Sequence, residues 1–292
     1  MTVVRPVGLA RPVWSEAPGI RVPERTLLLL RDLVNAQTGM FYDGERLDYL
    51  RDRLAPLALE RGFDSLLDYY YLLKYEGEAS GEWARAIDAL SVQETYFWRE
   101  FDQVRALTQR IIPALVAAGR YSIRIWSVPC ATGEEPLSIA LALDEAGWFA
   151  RVPIEIYASD ASDAALKKAA AGVYGRRAFR QLPDDLRQKY FDPVADNMWR
   201  VKPSLHARIT QWSRVNVVQP SEVAPYVAAD VIFCRNLFIY FNEVSVRSVV
   251  EQFADGMRSP GFLCVGAAES LLRLTTRFDL QDIGGAYVYV KS

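Results

Sequence analysis

Histidine is nearly absent from the sequence, since His206 is the only one in 292 residues. A Ser-His-Asp triad, a Cys-His pair or a metal centre with several histidines would have to be built around that single ring. The residue lies in a polar stretch of extended character, so we interpret it as a surface histidine. The chemistry of this chain is therefore expected to proceed without histidine.

Clustered cysteines, long apolar runs and an excess of charge are lacking as well. Cys130, Cys234 and Cys264 are odd in number and far apart, which argues against a disulfide framework or a zinc cluster, and no metal is expected. The apolar runs are too short to span a membrane and the first residues do not resemble a signal peptide, so we expect a cytoplasmic protein without membrane insertion. With 34 basic and 36 acidic residues, the net charge is -2 and no nucleic-acid partner is expected.

The first third of the chain has a helical pattern. Residues 1–22 contain three prolines and little periodicity, and we expect them to form a poorly ordered lead-in. Residues 23–92 carry apolar side chains at helical spacing, which predicts a small all-helical domain and a linker. Within it, Pro56 is expected to kink or end the second helix near Ala55, and Asp64 is expected to cap the third.

The remainder, 93–292, alternates apolar strand-like runs with helical segments. This order predicts an α/β domain with a Rossmann-like, doubly wound sheet. A polar and aromatic stretch at 176–210 interrupts the alternation and predicts a small inserted subdomain. The predicted strands are 122–128, 154–159, 209–217, 231–234, 262–265 and 286–290, and the predicted helices are 101–118, 136–146, 164–171 and 243–257.

The turn after the first predicted strand is a candidate cofactor site. Open α/β sheets bind ligands at the carboxyl ends of their strands, where residues 130–135 would lie. A single Gly133 is weaker than a full glycine-rich fingerprint, and alone the segment fits an ordinary strand-to-helix loop better. Glu134 and Glu135 favour a cofactor site over an ordinary loop. Their carboxylates would repel a pyrophosphate and attract a cofactor with positive charge. S-adenosylmethionine, with its sulfonium and amino groups, has that charge.

Polar residues follow two further strands at the same edge. Asp160 ends the second strand, where an acidic side chain can accept hydrogen bonds from ribose hydroxyls, although it could instead cap the next helix. Arg235 and Asn236 directly follow a buried strand, with Tyr240 close behind. A charged and an amide residue in this place are typical of ligand contacts.

The junction between the two predicted domains reads VQETYFWRE. Thr95 and Arg99 are four residues apart and would share one face if the segment were helical. Phe97 and Trp98 are interpreted as packing residues.

Taken together, these motifs resemble the chemotaxis receptor methyltransferases of the CheR family. The resemblance extends from about Pro23 to the end and rests on the motifs ETYFWRE, TGEEPLSIA, ASDAS, RVNVV, FCRNLFIYF and GAAES. It implies a bacterial enzyme that transfers a methyl group from S-adenosylmethionine to glutamate side chains of a chemoreceptor, leaving S-adenosylhomocysteine. It also implies that the subdomain at 176–210 is a small β-structure where some members of the family bind a receptor tail.

The resemblance implies a set of site residues as well. Arg99 and Tyr240 would face the reacting centre. The cofactor pocket would be lined by Gln93, Thr95, Arg99, Glu134, Asp160, Asn216, Val217, Arg235 and Asn236.

The sequence departs from the family pattern at three places. Gln93 stands where the family often has asparagine, and GAAES replaces a more usual glycine-histidine-serine-glutamate run. The second helix, which in the family is rich in basic residues that meet an acidic receptor helix, mixes both signs of charge here. Its basic residues are Arg46, Arg51, Arg53 and Arg61, and its acidic ones are Glu45, Asp48, Asp52 and Glu60.

Methylation of a carboxylate is consistent with the scarcity of histidine. A free glutamate titrates near about 4.3, so the acceptor is already ionised at neutral pH and needs no general base. Two other functions remain open from the sequence: a catalytically inactive module that binds the cofactor and partners, and a small-molecule O-methyltransferase. A dedicated helical domain and an inserted subdomain suit a protein substrate better.

Overall fold

A computed structural model describes residues 22–44 and 46–291, so the expected lead-in, apart from Val22, lies outside the described residues. The first part of the described residues forms four helices around a separate apolar core. In the first helix Leu27, Leu30 and Val34 recur at helical spacing and are all buried. The four helices are α1 (Glu24–Thr38), α2 (Arg46–Glu60), α3 (Leu66–Glu76) and α4 (Glu82–Leu90).

Two local predictions for this domain are wrong. The predicted end of α2 near Ala55 is wrong, because the helix continues through Pro56 to Glu60; the alternative, a kink at this point, stays a prediction. Pro56 is exposed, so the carbonyl that loses its hydrogen bond can be solvated by water. Helix α3 is capped by Ser65, whose hydroxyl accepts a hydrogen bond from the Leu67 N–H at 3.1 Å, and not by Asp64.

The remaining described residues form an α/β domain around the predicted sheet. Its helices are α5 (Phe101–Ala106) and α6 (Ile112–Ala117), joined by a π-helical turn, then α7 (Glu134–Glu145), α8 (Asp163–Ala171), α9 (Asp184–Tyr190), α10 (Pro203–His206), α11 (Pro220–Val223) and α12 (Glu243–Gly256). Its strands are β1 (Ile123–Ser127), β2 (Ile154–Asp160), β3 (Val173–Gly175), β4 (Phe191–Ala195), β5 (Met198–Val201), β6 (Ile209–Arg214), β7 (Val231–Phe233), β8 (Gly261–Cys264), β9 (Asp279–Asp282) and β10 (Tyr287–Lys291).

Seven strands form one sheet in the order β6-β2-β1-β7-β8-β10-β9. The pairs among β6, β2, β1, β7 and β8 are parallel, whereas β10 is antiparallel to both of its neighbours. The chain moves outward from β1 to one side and then returns to place β7 on the other side. This arrangement confirms the predicted doubly wound fold and leaves a crevice at the carboxyl ends of β1 and β7.

Both faces of this sheet are buried. In β1, Ile123 and Ile125 pack into one apolar cluster, and Trp126 packs into the other. Helix α7 covers the first face and helix α12 the second. Such burial on both sides explains why the central strands appear as nearly continuous apolar runs in the sequence.

Three short strands form a second, antiparallel sheet in the order β3-β5-β4. It is inserted between α8 and β6, where the alternation of strand-like and helical segments in the sequence is interrupted. Phe97 from the linker packs against the aromatic residues of this insertion, with ring centroids 4.9 Å from Tyr174 and 5.0 Å from Phe191. The insertion is therefore joined to the linker by a shared aromatic core.

The helical domain lies directly against the carboxyl edge of the large sheet. The Phe41 N–H donates to the Tyr240 carbonyl at 2.8 Å, and the Asn242 amide donates to Asn35 at 3.1 Å. Gly39 ends α1 with φ 79°, and a Cβ at that position would lie 2.5 Å from the Phe241 ring. The close contact between the domains therefore requires glycine at this position. Among the described residues, no helix is both long and apolar enough to cross a membrane.

Candidate active site

Two adjoining clefts open at the carboxyl ends of β1, β2, β6 and β7. The charged cleft, of about 550 Å³, is lined by residues including Glu94, Thr95, Tyr96, Arg99, Glu135, Ser138 and Arg235. The apolar cleft, of about 720 Å³, is lined by residues including Thr38, Met40, Ile87, Val128, Asp160, Asn216, Val217, Tyr240 and Phe241. The two are continuous, because Val92, Pro129, Ala131 and Asn236 line both.

The structure brings nearly all of the sequence-predicted residues to these clefts. Thr95, Arg99 and Arg235 line the charged cleft; Gln93, Asp160, Asn216, Val217 and Tyr240 line the apolar cleft; and Asn236 lies between them. Glu134 lines neither cleft. It is buried at the start of α7, where the Thr132 hydroxyl donates to its carboxylate at 2.6 Å.

The neighbouring Glu135 lines the charged cleft instead. Its carboxylate accepts a hydrogen bond from the Ser127 hydroxyl at 2.7 Å and lies 3.0 Å from the guanidinium of Arg235. Burial raises the pKa of Glu135, and the charge of Arg235 opposes that rise. Which of two consecutive glutamates lines a cleft depends on the rotation of α7, which the sequence pattern does not determine; the role of Glu134 in cofactor binding stays a prediction.

Asp160 joins the turns that follow β1 and β2. Its two carboxylate oxygens accept hydrogen bonds from the Ala131 N–H at 2.8 Å and from the Ser162 N–H at 2.9 Å. Burial raises the pKa of Asp160 to about 6, although these backbone donors favour the ionised form. The cap of α8 is Ser162, so the alternative role of Asp160 as a helix cap is not realised.

Arg235 is a buried cation whose side chain is only 2% exposed. Besides its ion pair with Glu135, it donates to the backbone carbonyl of Arg99 at 2.7 Å and to that of Glu100 at 3.1 Å. Since Arg235 follows β7 and the other two lie in the linker, this one guanidinium fixes the linker against the sheet.

The linker that carries Arg99 is strained rather than helical. Residues 91–100 contain no helix, so Thr95 and Arg99 do not share a helix face, although both line the charged cleft. Trp98 and Glu100, the two neighbours of Arg99, have left-handed backbones with φ 70° and 46°. Large side chains rarely adopt this conformation, and strained residues tend to cluster at functional sites.

Left-handed backbones are concentrated around the clefts. Of the five residues other than glycine with positive φ among the described residues, Ala131 and Asn236 line the clefts and Trp98 and Glu100 flank Arg99. The fifth, Asn197, lies in the turn between β4 and β5 of the insertion. The surrounding contacts therefore hold the backbone in unfavourable conformations where the site is built.

Arg99 lines the charged cleft and Tyr240 lines the apolar cleft. Arg99 is partly exposed and donates to the Glu94 carbonyl at 2.6 Å. Burial raises the pKa of Tyr240, Tyr49 adds to the rise, and the charges of Arg99 and Arg46 oppose it. The phenol is therefore protonated at neutral pH and able to donate a hydrogen bond.

Sequence reasoning missed the part of the site that comes from the helical domain. Thr38, Met40 and Ile87 line the apolar cleft, and Met40 pairs with Phe241 in an isolated antiparallel bridge. These residues are far from the nucleotide-type motifs in sequence, so no local signal identifies them. Only the packing of the two domains brings them to the sheet edge.

Arg180 of the insertion is a second missed residue. Its guanidinium lies 3.5 Å from the centre of the Tyr96 ring and 2.9 Å from the Glu94 carboxylate. The Phe97 N–H also donates to the Ala178 carbonyl at 2.9 Å. The insertion therefore supports the linker that forms one wall of the charged cleft.

Histidine lines neither cleft, and of the cysteines Cys130 lines the charged cleft. His206, the last residue of α10, packs on Trp212 of β6, outside both clefts. The three cysteines are free and buried, and burial raises their pKa. No group of side chains in 22–44 and 46–291 is arranged to hold a metal ion.

Comparison with known proteins identifies the family. The family described as "CheR methyltransferase, SAM binding domain" matches residues 93–284, and "CheR methyltransferase, all-alpha domain" matches residues 25–91. The chain belongs to the CheR methyltransferase family. It is thus an S-adenosylmethionine-dependent methyltransferase, and both the recognised family and the predicted cofactor are confirmed.

Several relatives are similar over most of this chain. Chemotaxis protein methyltransferase 2 of Vibrio cholerae is 36% identical over 89% of this chain and 91% of its own length. Chemotaxis protein methyltransferase 1 of Pseudomonas aeruginosa is 28% identical over 89% of this chain and 96% of its own. The probable biofilm formation methyltransferase WspC of Pseudomonas aeruginosa is 32% identical over 80% of this chain and 53% of its own.

Proposed function

We propose that this protein transfers the methyl group of S-adenosylmethionine to glutamate side chains of a chemoreceptor-like protein in the cytoplasm. The products are glutamyl methyl esters and S-adenosylhomocysteine. The names of the relatives support a chemotaxis substrate. The observation that carries the proposal is that Arg99 and Tyr240 line two continuous clefts, neither of which is lined by a histidine that could act as a base.

The residues around the clefts fit the cofactor. Asp160 has lone pairs free for ribose hydroxyls beyond its two backbone hydrogen bonds, and the apolar side chains of Met40, Val128 and Val217 offer a dry surface for a base. Acidic groups at the charged cleft favour a donor with positive charge. We propose that Gln93, Thr95, Arg99, Asp160, Asn216, Val217, Arg235 and Asn236 hold the cofactor, with Glu134 acting indirectly through the turn it stabilises.

When bound, S-adenosylmethionine supplies an electrophilic methyl group on a positively charged sulfur. The acceptor glutamate is ionised at neutral pH, since its ordinary pKa is about 4.3, so the protein need not remove a proton. Arg99 holds one carboxylate oxygen, and the protonated Tyr240 orients the acceptor so that the second oxygen stays free to attack. Alignment of this kind contributes roughly 7 to 11 kcal/mol in well-oriented systems.

Helix α2 supports docking of an acidic receptor helix, because its charges are mixed in sequence but separated in space. Arg46, Tyr49 and Arg53 follow the spacing i, i+3 and i+7 and share one flank, with the Arg53 guanidinium 4.9 Å from the Tyr49 ring. Arg46 and Tyr49 influence the pKa of Tyr240, so this flank is beside the clefts. Asp48 and Asp52 pair with Arg51 on the opposite flank.

Docking is tested by charge removal on the two flanks of α2. The Arg46→Ala, Arg53→Ala double variant is expected to raise KM for a receptor fragment several-fold and to leave kcat nearly unchanged. Arg51→Ala is the matched control and is expected to behave like the parent. Equal KM values for the parent and the double variant would exclude this flank as the docking surface.

We further propose that a receptor tail binds the inserted sheet. Strand β4 is an edge strand, and its residues from Asp192 to Ala195 are exposed, so it can pair with an added strand. Pro193 lacks an N–H, which limits this pairing to part of the strand. Calorimetry with receptor fragments that have or lack the carboxyl-terminal tail tests the proposal, and equal affinities would exclude it.

The reaction itself is tested with methyl-labelled cofactor and a cytoplasmic receptor fragment. The proposal predicts label on the fragment that base releases as methanol, because carboxyl methyl esters are base-labile. Label that is stable to base would indicate a different acceptor. Cofactor binding without any transfer would favour the inactive signalling module.

A further inference from the structure

Glu269, in the loop after β8, binds a cluster of backbone N–H groups. Its carboxylate accepts hydrogen bonds from Gly266 at 2.6 Å, Phe238 at 2.7 Å, Asn236 at 2.9 Å and Ile239 at 3.3 Å. Three of these four donors belong to the loop after β7, which carries Asn236 and Tyr240. One side chain therefore connects the ends of two adjacent parallel strands.

Only an ionised carboxylate satisfies this arrangement. It presents two oxygens with about four acceptor positions, whereas a neutral amide of the same shape would turn a donor toward some of the N–H groups. Hydrogen bonds to a charged acceptor are also roughly twice as strong as neutral ones. In the described part of the chain, Glu269 forms no ion pair within 4 Å, so its observed partners are these N–H groups.

The loop that Glu269 holds has a strained backbone. Asn236 has φ 60° and lines both clefts. Directly after it, Phe238–Tyr240 forms a 3₁₀ turn, whose first and second N–H groups donate to Glu269. The position of the Tyr240 phenol therefore depends on a turn whose amides would otherwise lack acceptors in the loop.

Gly266 shows how closely the two loops fit. A Cβ at this residue would lie 2.6 Å from the Asn236 side-chain nitrogen and 2.9 Å from a Glu269 oxygen. The adjacent Ala267 N–H donates to Glu100 of the linker at 3.1 Å. The loop after β8 thus contacts both walls of the site, beside Arg99 on one side and Tyr240 on the other.

From this geometry we propose that Glu269 is a positioning residue for methyl transfer. It holds Asn236 and Tyr240 in the conformation that the reaction requires, without contacting the acceptor itself. This role rests on the proposed function, in which Tyr240 orients the acceptor. It differs from the role of a purely structural residue, which would alter stability and leave turnover per folded molecule unchanged.

The test uses the full chain and the isosteric variant Glu269→Gln. Glu243→Gln, in the exposed first turn of α12, is the matched control. Assays are run well below the unfolding temperature of every variant, so that loss of folded protein does not mimic loss of turnover. Measurements are kcat with a receptor fragment, the affinity for S-adenosylhomocysteine, and hydrogen exchange of the peptide that contains Asn236, Phe238 and Ile239.

Glu269→Gln is expected to lower kcat roughly tenfold or more, the scale of one lost transition-state contact. Affinity for the product cofactor should fall less, because Asp160, Asn216 and Val217 lie on other elements. Hydrogen exchange in the 236–239 peptide should accelerate by a similar factor, and Glu243→Gln should match the parent in all three measurements.

Parental kcat or parental hydrogen exchange in Glu269→Gln would overturn the role of Glu269 alone. A parent protein that transfers no methyl groups to any receptor fragment would overturn the proposed function itself, and this role with it. The two failures are therefore distinguishable in one experiment.

Discussion

The charged cleft and the apolar cleft share a wall but are built differently. The charged cleft comes from the linker and from β1, α7 and β7, and its side chains include two guanidiniums and two carboxylates. The apolar cleft comes from the sheet edge and the helical domain, and its one charged lining residue is Asp160. We propose that the difference reflects a division of roles: the apolar cleft holds the nucleoside of the donor, whereas the charged cleft holds the donor's charged end and acts on the acceptor.

The largest effect is expected for Arg99→Ala, which removes the cation proposed to hold the acceptor. Turnover should fall by roughly 10²- to 10³-fold, the range seen when one electrostatic contact to a transition state is lost. Affinity for S-adenosylhomocysteine, measured by calorimetry, should change far less. Arg105→Ala, at an exposed position of α5, is the control and should retain parental turnover. An active Arg99→Ala enzyme would contradict the role of the charged cleft.

Tyr240→Phe sharpens the comparison, because this residue lines the apolar cleft yet is proposed to act on the acceptor. Loss of one hydroxyl hydrogen bond should lower kcat by about ten- to thirtyfold. Cofactor affinity should remain close to that of the parent. Tyr121→Phe, at a residue that is 90% exposed, provides the control in the same rate assay. If Tyr240→Phe retained the parental kcat, the hydroxyl would have no role in the reaction and the ring would serve only to pack against its neighbours.

Asp160→Asn tests the apolar cleft through cofactor affinity. Replacement should weaken binding by about tenfold, the effect of one lost hydrogen bond to a charged group. Turnover at saturating cofactor should be less affected. Asp163→Asn, at the start of α8, is the control, and equal affinities of Asp160→Asn and the parent would remove Asp160 from the pocket.

The pKa of Asp160, raised to about 6 by burial, gives this prediction a pH dependence. The folded state binds the proton more tightly than the unfolded chain, so this group stabilises the fold at low pH, and that contribution is lost as pH rises through about 6. Cofactor affinity should change in the opposite direction, falling as pH drops below about 6. Both trends are measured as differences between the parent and Asp160→Asn, by denaturant unfolding and calorimetry, and identical pH profiles would contradict them.

Met40→Ala should give the smallest effect. Truncation of one apolar side chain at the domain boundary is expected to weaken cofactor binding a few-fold, the scale of roughly 1 kcal/mol. Leu59→Ala, at an exposed position of α2, is the control. Unchanged calorimetric affinity in Met40→Ala would limit the donor site to the sheet edge.

The sequence was sufficient to predict the central strands and most of the site edge. Strands β1, β2, β7, β8 and β10 have strong apolar patterns because both faces of the sheet are buried. Polar residues that follow such strands must reach the carboxyl edge, which is why Asp160 and Arg235 were identified. This inference needs only the parallel topology and no knowledge of side-chain packing.

The features that were missed depend on contacts distant in sequence or on single rotations. Strand β9 was not predicted. All four of its residues are exposed and it pairs only with β10, so it has no apolar pattern that would indicate a strand. Met40 reaches the apolar cleft through packing of the two domains, and Arg180 of the insertion contacts Glu94 and Tyr96 of the linker. The left-handed backbones around Arg99 also lack a local signal, since Trp98 and Glu100 are not residues that favour this conformation.

A direct comparison of Arg99→Ala and Asp160→Asn tests the division of roles most clearly. For each variant, the measured quantity is the ratio of the loss in kcat to the loss in affinity for S-adenosylhomocysteine. The account predicts a ratio well above one for Arg99→Ala and below one for Asp160→Asn. Equal ratios for the two variants would show that the clefts act as one undivided site and would contradict the account.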